Sequence, residues 1–191
     1  MRIRESNMPD EELWRGFFEP GELLRRLELD CSVGDIVDLG CGYGTFAIPA
    51  ANVVTGIVHA VDVDPGMIAV TRRYAQDQGL TNVQFHRQDI IAQGTGLAAA
   101  SVDYAMVFNI LHGDAPHVLL CEALRVLRPG GKVGILHWRY DAHTPRGPSM
   151  AIRPKPEQCQ QWAIEAGFGM HQPYIDLPPY HYGMVGTKPT G

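Results

Sequence analysis

Two periodicities divide this 191-residue chain. Between residues 8 and 29 the helical period holds. Leu13, Trp14, Phe17 and Phe18 share one face and Leu23, Leu24 and Leu27 another, with Pro20-Gly21 between them, which predicts two helical pieces. The pattern then tightens. Asp35 to Leu39 predicts a buried strand, Thr45 to Val54 a helix of small apolar residues, and Gly56 to Val61 a second strand ending at Asp62. Pro65 to Gln78 predicts a helix, with Met67, Ile68, Val70 and Tyr74 at helical spacing and Gly79 just past its end. Val83 to His86 alternates as a third strand and Ala100 to Phe108 predicts a fourth. Asp114 to Leu127 predicts a helix, since His117, Leu120, Leu124 and Leu127 recur every three or four residues. Arg128-Pro129-Gly130-Gly131 predicts a tight turn before a fifth strand from Lys132 to His137. Residues 139 to 154, rich in Pro, Gly, Arg and His, predict a loop. Pro156 to Gly167 predicts a helix opened by Pro and closed by Gly, and Gly169 to Thr187 holds two extended segments around Leu177-Pro178-Pro179.

Strands alternating with helices predict an α/β fold, a parallel sheet covered on both faces and joined by right-handed crossovers. No repeat or linker interrupts it, so the expectation is one domain over 1–191, with a helical cap (1–30) and an α/β core (31–191). With hydrophobic residues at 45% and charged residues at 19%, the composition is that of a soluble protein. A net charge of −5 and no run of Lys or Arg argue against a nucleic-acid partner. Cys31, Cys41, Cys121 and Cys159 are far apart with no CxxC, which points to neither a metal nor a redox motif. The N-terminus lacks the apolar stretch of a signal peptide, and no apolar run nears the ~20 residues that span a bilayer. The expected setting is cytoplasmic, without a membrane partner. The oligomeric state is not legible.

One stretch narrows the chemistry. Val37-Asp38-Leu39-Gly40-Cys41-Gly42-Tyr43-Gly44-Thr45-Phe46 reads as strand, glycine turn and helix start, a junction against which a nucleotide-like ligand can lie. Asp62 closes the second strand 22 positions beyond Gly40, near the separation of roughly 20 expected of a ribose-binding acid. A carboxylate accepts from both ribose hydroxyls at once. The spacing is Gly40-x-Gly42-x-Gly44, and Thr45 stands where GxGxxG would end. That suits a ligand without a pyrophosphate, such as S-adenosylmethionine, better than a dinucleotide.

Five motifs follow in order: VDLGCGYG (37–44), AVDVDPGMI (60–68), RQDI (87–90), SVDYAMVFNILH (101–112) and LRVLRPGGKVGIL (124–136). Over residues 35 to 137 the chain resembles the class I S-adenosylmethionine-dependent methyltransferases. The resemblance implies a doubly wound, Rossmann-like seven-stranded sheet of order 3-2-1-4-5-7-6 with strand 7 antiparallel, the two tail segments being strands 6 and 7. It implies S-adenosylmethionine as cofactor and S-adenosylhomocysteine as product. Asp38 and the backbone around Gly40, Cys41 and Gly42 would hold the methionine end, and Gly44 would allow close helix packing. Asp62 would bind the ribose, Val63 and Met67 would flank the adenine, Asp89 would accept from its amino group and Ile90 would cover the ring. Asn109 and Leu111 would line the sulfonium side. Trp14, Phe17 and Phe18 would either pack into the core or, as a helix at this position does in many small-molecule members, cover the cofactor.

Methyl transfer requires alignment and exclusion of water, and a base only where the acceptor must lose a proton. His112, after strand 4, is the first candidate, with His137 after strand 5 and His181 in the tail. Tyr140, Arg139 and Trp138 would line the same pocket, and Arg139 or Arg146 would meet an acidic substrate. Leu177-Pro178-Pro179-Tyr180 resembles the [DN]PPY of amino-methyltransferases, but theirs follows strand 4. Here it is expected to shape the hairpin between strands 6 and 7. Short connections favour a small-molecule acceptor. The alternative is a non-catalytic S-adenosylmethionine-binding subunit on the same fold. An NAD(P) enzyme would want GxGxxG and a Tyr-x-x-x-Lys pair, and neither is evident.

Overall fold

The computed structural model describes residues 11–191. The start of the expected 8–29 helical region and the first ten residues of the cap lie outside them. Within the described residues the cap holds α1 (Glu11–Arg15) and α2 (Pro20–Arg26), broken at Pro20 as the pattern predicts. The core follows in the order β1 (Ile36–Leu39), α3 (Ala47–Ala51), β2 (Val58–Asp62), α4 (Pro65–Asp77), β3 (Val83–Arg87), α5 (Ile90–Gln93), β4 (Val102–Phe108) and α6 (Pro116–Val126). It closes with β5 (Leu127–Trp138), α7 (Pro156–Ala166), β6 (Gly169–Leu177) and β7 (His181–Thr187).

The seven strands pair in the order β3-β2-β1-β4-β5-β7-β6. β1, β2, β3, β4 and β5 run parallel, whereas β7 is antiparallel to both β5 and β6. This is the order expected from the resemblance. All four residues of β1 are buried, as a central strand covered on both faces requires. One apolar cluster joins Leu24 and Leu27, Ala47, Ile68, Met106 and Leu136 under the cap, α3 and α4. The other joins Val37, Val107, Ile135, Leu120 and Ala163 under α6 and α7. Along β5 alternate residues serve opposite faces, so Trp138 falls in the first cluster while its neighbour His137 faces the second.

The cap is bound into this core. The Tyr104 hydroxyl donates to the Leu27 carbonyl at 2.6 Å, and Gly134 on the next strand leaves it room. A Cβ at Gly134 would stand 1.9 Å from that hydroxyl.

Several element bounds differ from expectation. The first core helix is only Ala47–Ala51, not Thr45 to Val54. Phe46 offers no capping side chain, and Pro49 brings no backbone N–H. Arg128–Gly131 is not a turn between elements but a bulge inside β5, because Val102 pairs with Leu127 and Tyr104 next pairs with Lys132. Gly130, at φ +80, donates its N–H to the Lys188 carbonyl and keeps the backbone hydrogen-bonded through the bulge. The helix α5 has too few residues for a period to show. Leu177 ends β6 and His181 starts β7, so the Pro-Pro segment does make the hairpin.

Candidate functional site

The carboxyl ends of β1, β2, β4 and β5 converge on the glycine turn. Gly40, Gly42 and Gly44 have φ of +77, +53 and +76, where only glycine rests without strain. The amides of Gly40 and Cys41 both donate to the Val61 carbonyl, at 2.8 and 3.0 Å, which moors the turn to β2. From α4, Thr71 donates its hydroxyl to the Gly42 carbonyl at 2.9 Å. Gly44 sits against that threonine: a Cβ there would stand 2.8 Å from Thr71 Cγ2 and 3.0 Å from Ile48 Cγ1. The expected close packing at Gly44 is therefore present. Cys41 is buried beside the turn, and burial raises its thiol far above the ordinary cysteine range, so it stays a neutral packing residue.

Two carboxyl groups flank the turn. Asp38 is 3% exposed and takes a hydrogen bond from the Ala47 amide at the start of α3. Burial, and secondly the charge of Asp62, raise its pKa to about 7. Asp62 accepts from the Gly42 amide through Oδ2 and from the Asp64 amide through Oδ1, each at 2.9 Å. Its pKa is also raised, chiefly by burial. It thus clamps the turn, and each oxygen keeps further lone-pair capacity toward a ligand. Asp64 caps α4 by accepting from the Gly66 amide at 2.7 Å. Val63 and Met67 are half-buried beside it. Asp89 is exposed and caps α5, accepting from the Ala92 amide at 3.2 Å, while Ile90 is buried.

The acceptor-side candidates separate. Asn109 follows β4 at φ +56, a strained conformation that asparagine tolerates better than most residues. Its amide donates to the Leu136 carbonyl at 2.7 Å, which sets it alongside His137. The His112 and His137 rings meet edge to face with centroids 5.5 Å apart. Burial, helped by the charge of Arg153, lowers the pKa of His112 to about 4. Burial holds His137 well below the ordinary histidine range, with His112 beside it adding to the effect. His181 lies on the other face of the sheet, stacked on Phe18 at 4.7 Å and against Trp138 at 4.4 Å, with its pKa lowered by burial to about 3. Leu111 is buried.

Tyr140 does not join them. It is 42% exposed and lies under the Lys155 ammonium, 5.1 Å from the ring centroid, because the chain turns outward after β5. Arg139 is bound to Asp176 and to the His181 carbonyl, and Trp138 packs with Phe17, Phe18 and Tyr180.

The cap closes over this end of the sheet. Trp14 Nε1 donates to the Thr45 hydroxyl at 3.0 Å, directly after the glycine turn. Tyr74 of α4 donates to Glu11, and Arg15 lies 4.3 Å from the Tyr74 ring centroid. Phe18 packs on Phe46 at 5.2 Å, and Phe46 on Phe108 at 4.8 Å. A hollow of about 390 Å³ lined by Glu12, Leu13, Gly16 and Phe17 lies on the cap and touches none of the expected site residues.

Sequence reasoning missed Thr71, Thr45 and Arg153. Arg153 is buried and spends its guanidinium on the carbonyls of Arg139, Asp141, Arg146 and Pro148 and on the Thr144 hydroxyl. Nothing in its local sequence distinguishes it from Arg139 or Arg146.

Comparison with known proteins gives a consistent picture. A family model described as "Methyltransferase domain" matches residues 36–131. The chain is 29% identical over 177 residues to aklanonic acid methyltransferase DauC of Streptomyces sp. strain C5, covering 86% of this chain and 80% of that protein. It is 44% identical over 55 residues to the 23S rRNA (uracil(1939)-C(5))-methyltransferase RlmD of Xanthomonas euvesicatoria, only 12% of that protein's length. A SAM-dependent methyltransferase from Aquifex aeolicus superposes with a TM-score of 0.82 at 21% identity, over 93% of each chain, which shows the shared fold.

Proposed function

Since this chain belongs to the methyltransferase-domain family and is an S-adenosylmethionine-dependent methyltransferase, we propose that its methyl acceptor is a small molecule. The observation that carries this is enclosure. His137 has no solvent exposure, His112 is partly buried, and both lie within the field of Arg153, whose guanidinium gathers the carbonyls of residues 139–148 beside them. A folded RNA would have to displace that segment to reach them. The long match to a methyltransferase named for an organic acid, against a short match to an rRNA enzyme, supports the same reading.

The residues fit the cofactor. The positive-φ glycines carry no side chains, so a ligand can lie against a turn already fixed by its bonds to Val61, Asp62 and Thr71, and a buried carboxyl group, Asp38, and a half-buried one, Asp62, stand beside it. S-adenosylmethionine brings a methyl carbon already activated by a positively charged sulfur. Asp38 and the Gly40–Gly42 backbone hold the methionine end, where an ionised Asp38 complements its cationic groups. Asp62 binds the ribose hydroxyls while keeping the turn in shape. Val63, Met67 and Ile90 bracket the adenine, and Asp89 accepts from its amino group. Asn109 and Leu111 border the reacting side, and α1 excludes water by way of Trp14. His112, unprotonated at neutral pH, is the base where the acceptor loses a proton. The cap and core act as one domain.

Calorimetric titration with S-adenosylmethionine and S-adenosylhomocysteine, with NAD as control, tests the cofactor assignment. Micromolar binding of both sulfur ligands and none of NAD is expected. Binding of NAD alone would refute it. Turnover of a 23S rRNA fragment in preference to every small acceptor would refute the enclosure argument.

A further inference from the structure

Among the described residues, six buried side-chain polar atoms have no hydrogen-bond partner: Asn109 Nδ2 and Oδ1, His112 Nδ1, His137 Nδ1 and Nε2, and His181 Nε2. Each such atom in a folded protein carries a desolvation penalty, so orphaned atoms are few and call for a reason. Here they are not scattered. All six lie at the carboxyl ends of β4 and β5 or at the adjoining start of β7. Three belong to His112 and His137, whose rings meet at 5.5 Å, and two to Asn109, whose backbone amide is bonded to Leu136, the chain neighbour of His137.

We propose that Asn109, His112 and His137 form the acceptor subsite, and that it takes a neutral, weakly acidic hydroxyl, a phenol or enol, with a second oxygen nearby. The inference rests on the methyltransferase reading above and names the acceptor class for the same site. Its argument is one of donors and acceptors. The Asn109 side chain offers both kinds, and each neutral imidazole offers one donor and one acceptor nitrogen. A hydroxyl with a neighbouring carbonyl or hydroxyl answers both. A carboxylate only accepts, so it would leave the imidazole and amide lone pairs facing an anion. The arginine that could offset this, Arg153, already donates to the surrounding carbonyls and to Thr144, so its fork is closed to a carboxylate. Its charge still reaches His112 and His137 and favours an oxygen that becomes negative. The same charge repels an ammonium acceptor.

The step balances simply. The hydroxyl oxygen gains the methyl carbon and passes its proton to His112 Nδ1, while the electron pair of the broken carbon–sulfur bond stays on sulfur. As the sulfonium charge is lost the imidazolium charge appears, so the enclosed site holds the same net charge before and after. His112 then releases the proton through the segment joining β4 to α6. His137 is wholly buried and binds rather than relays.

The test uses the full chain loaded with S-adenosylhomocysteine and three probes of like size: 3-hydroxyacetophenone, benzoate and benzylamine. Calorimetry is expected to show the phenol binding at least tenfold more tightly than the other two. His137→Phe should weaken phenol binding tenfold or more, with S-adenosylhomocysteine affinity within twofold and a melting temperature no lower than that of the parent. A structural histidine would instead lower the melting temperature. Asn109→Gly, which the φ of +56 accommodates, should give the same loss should His137→Phe not fold. No phenol preference, with product binding intact, would overturn this inference alone. Loss of S-adenosylhomocysteine binding in the parent protein would overturn the cofactor reading and this inference with it.

Discussion

Asp38 makes cofactor affinity depend on pH, and the size of the effect follows from its surroundings. Burial, with Asp62 nearby, raises its pKa from 3.8 to about 7, so the free protein holds a proton there over most of the acid range. A ligand carrying a sulfonium and an ammonium favours the ionised form, so binding should release that proton. Below pH 7 each pH unit then weakens binding by up to tenfold, and above pH 8 affinity should level off. The linkage also acts on folding. The unfolded carboxyl ionises near 3.8, so stability from this group is fully present below that pH and is lost as pH rises through about 7. The full difference corresponds to roughly 4 kcal/mol at 1.36 kcal/mol per pKa unit. Asp38→Asn keeps an acceptor for the Ala47 amide and carries no charge. It should therefore be more stable than the parent at pH 8 by about 2–4 kcal/mol and equal to it near pH 4, while binding S-adenosylmethionine weakly and without pH dependence. Comparing the two proteins at each pH cancels the opposite contributions of the buried histidines. Calorimetry in buffers of different ionisation enthalpy measures the released proton directly. Equal affinity at pH 6 and pH 8 with no proton released, or an asparagine variant less stable than the parent at pH 8, would refute the reasoning.

Gly44→Ala should cost roughly 2–5 kcal/mol, combining a left-handed backbone at an L-residue with the contacts at 2.8 and 3.0 Å to Thr71 and Ile48. A melting temperature lowered by about 5–15 °C is expected, and a change within 1 °C would show that α4 yields freely. With His112 lowered to about 4, kcat at saturating cofactor should be flat from about pH 5 to pH 8, since the base is unprotonated throughout. A rising limb near pH 6.5 would mean an exposed histidine does the work. Trp14→Phe removes the hydrogen bond to Thr45 and little else, so dissociation of S-adenosylhomocysteine in stopped flow should quicken roughly 2- to 10-fold. An unchanged rate would separate α1 from the ligand.

Most of the framework was legible in the chain because its signals are local. A strand–glycine turn–helix series with Asp62 at its expected place needs no tertiary knowledge, whereas the sheet order came only from the family resemblance that the ordered motifs carry. The cap's two helices were visible for the same reason, Pro20 breaking the period between two apolar faces. Other features lay beyond one-dimensional reading. The bulge at Arg128–Gly131 looks like a turn until Val102 and Tyr104 are paired with β5. α5 is about one turn long, too short for a period to repeat within it. His112, His137 and His181 are equal as residues, yet the pleat sends His137 and His181 to opposite faces of the sheet, and burial rather than residue type makes them neutral. Arg153 reads like Arg139 and Arg146, yet it alone is buried by a ring of carbonyls drawn from residues 139–148. Local backbone preference thus determined where the ligand-binding turn falls along the chain. Which polar groups are brought together beside it, and in which charge state, was decided only by packing, because burial and the field of distant neighbours are properties of the folded molecule.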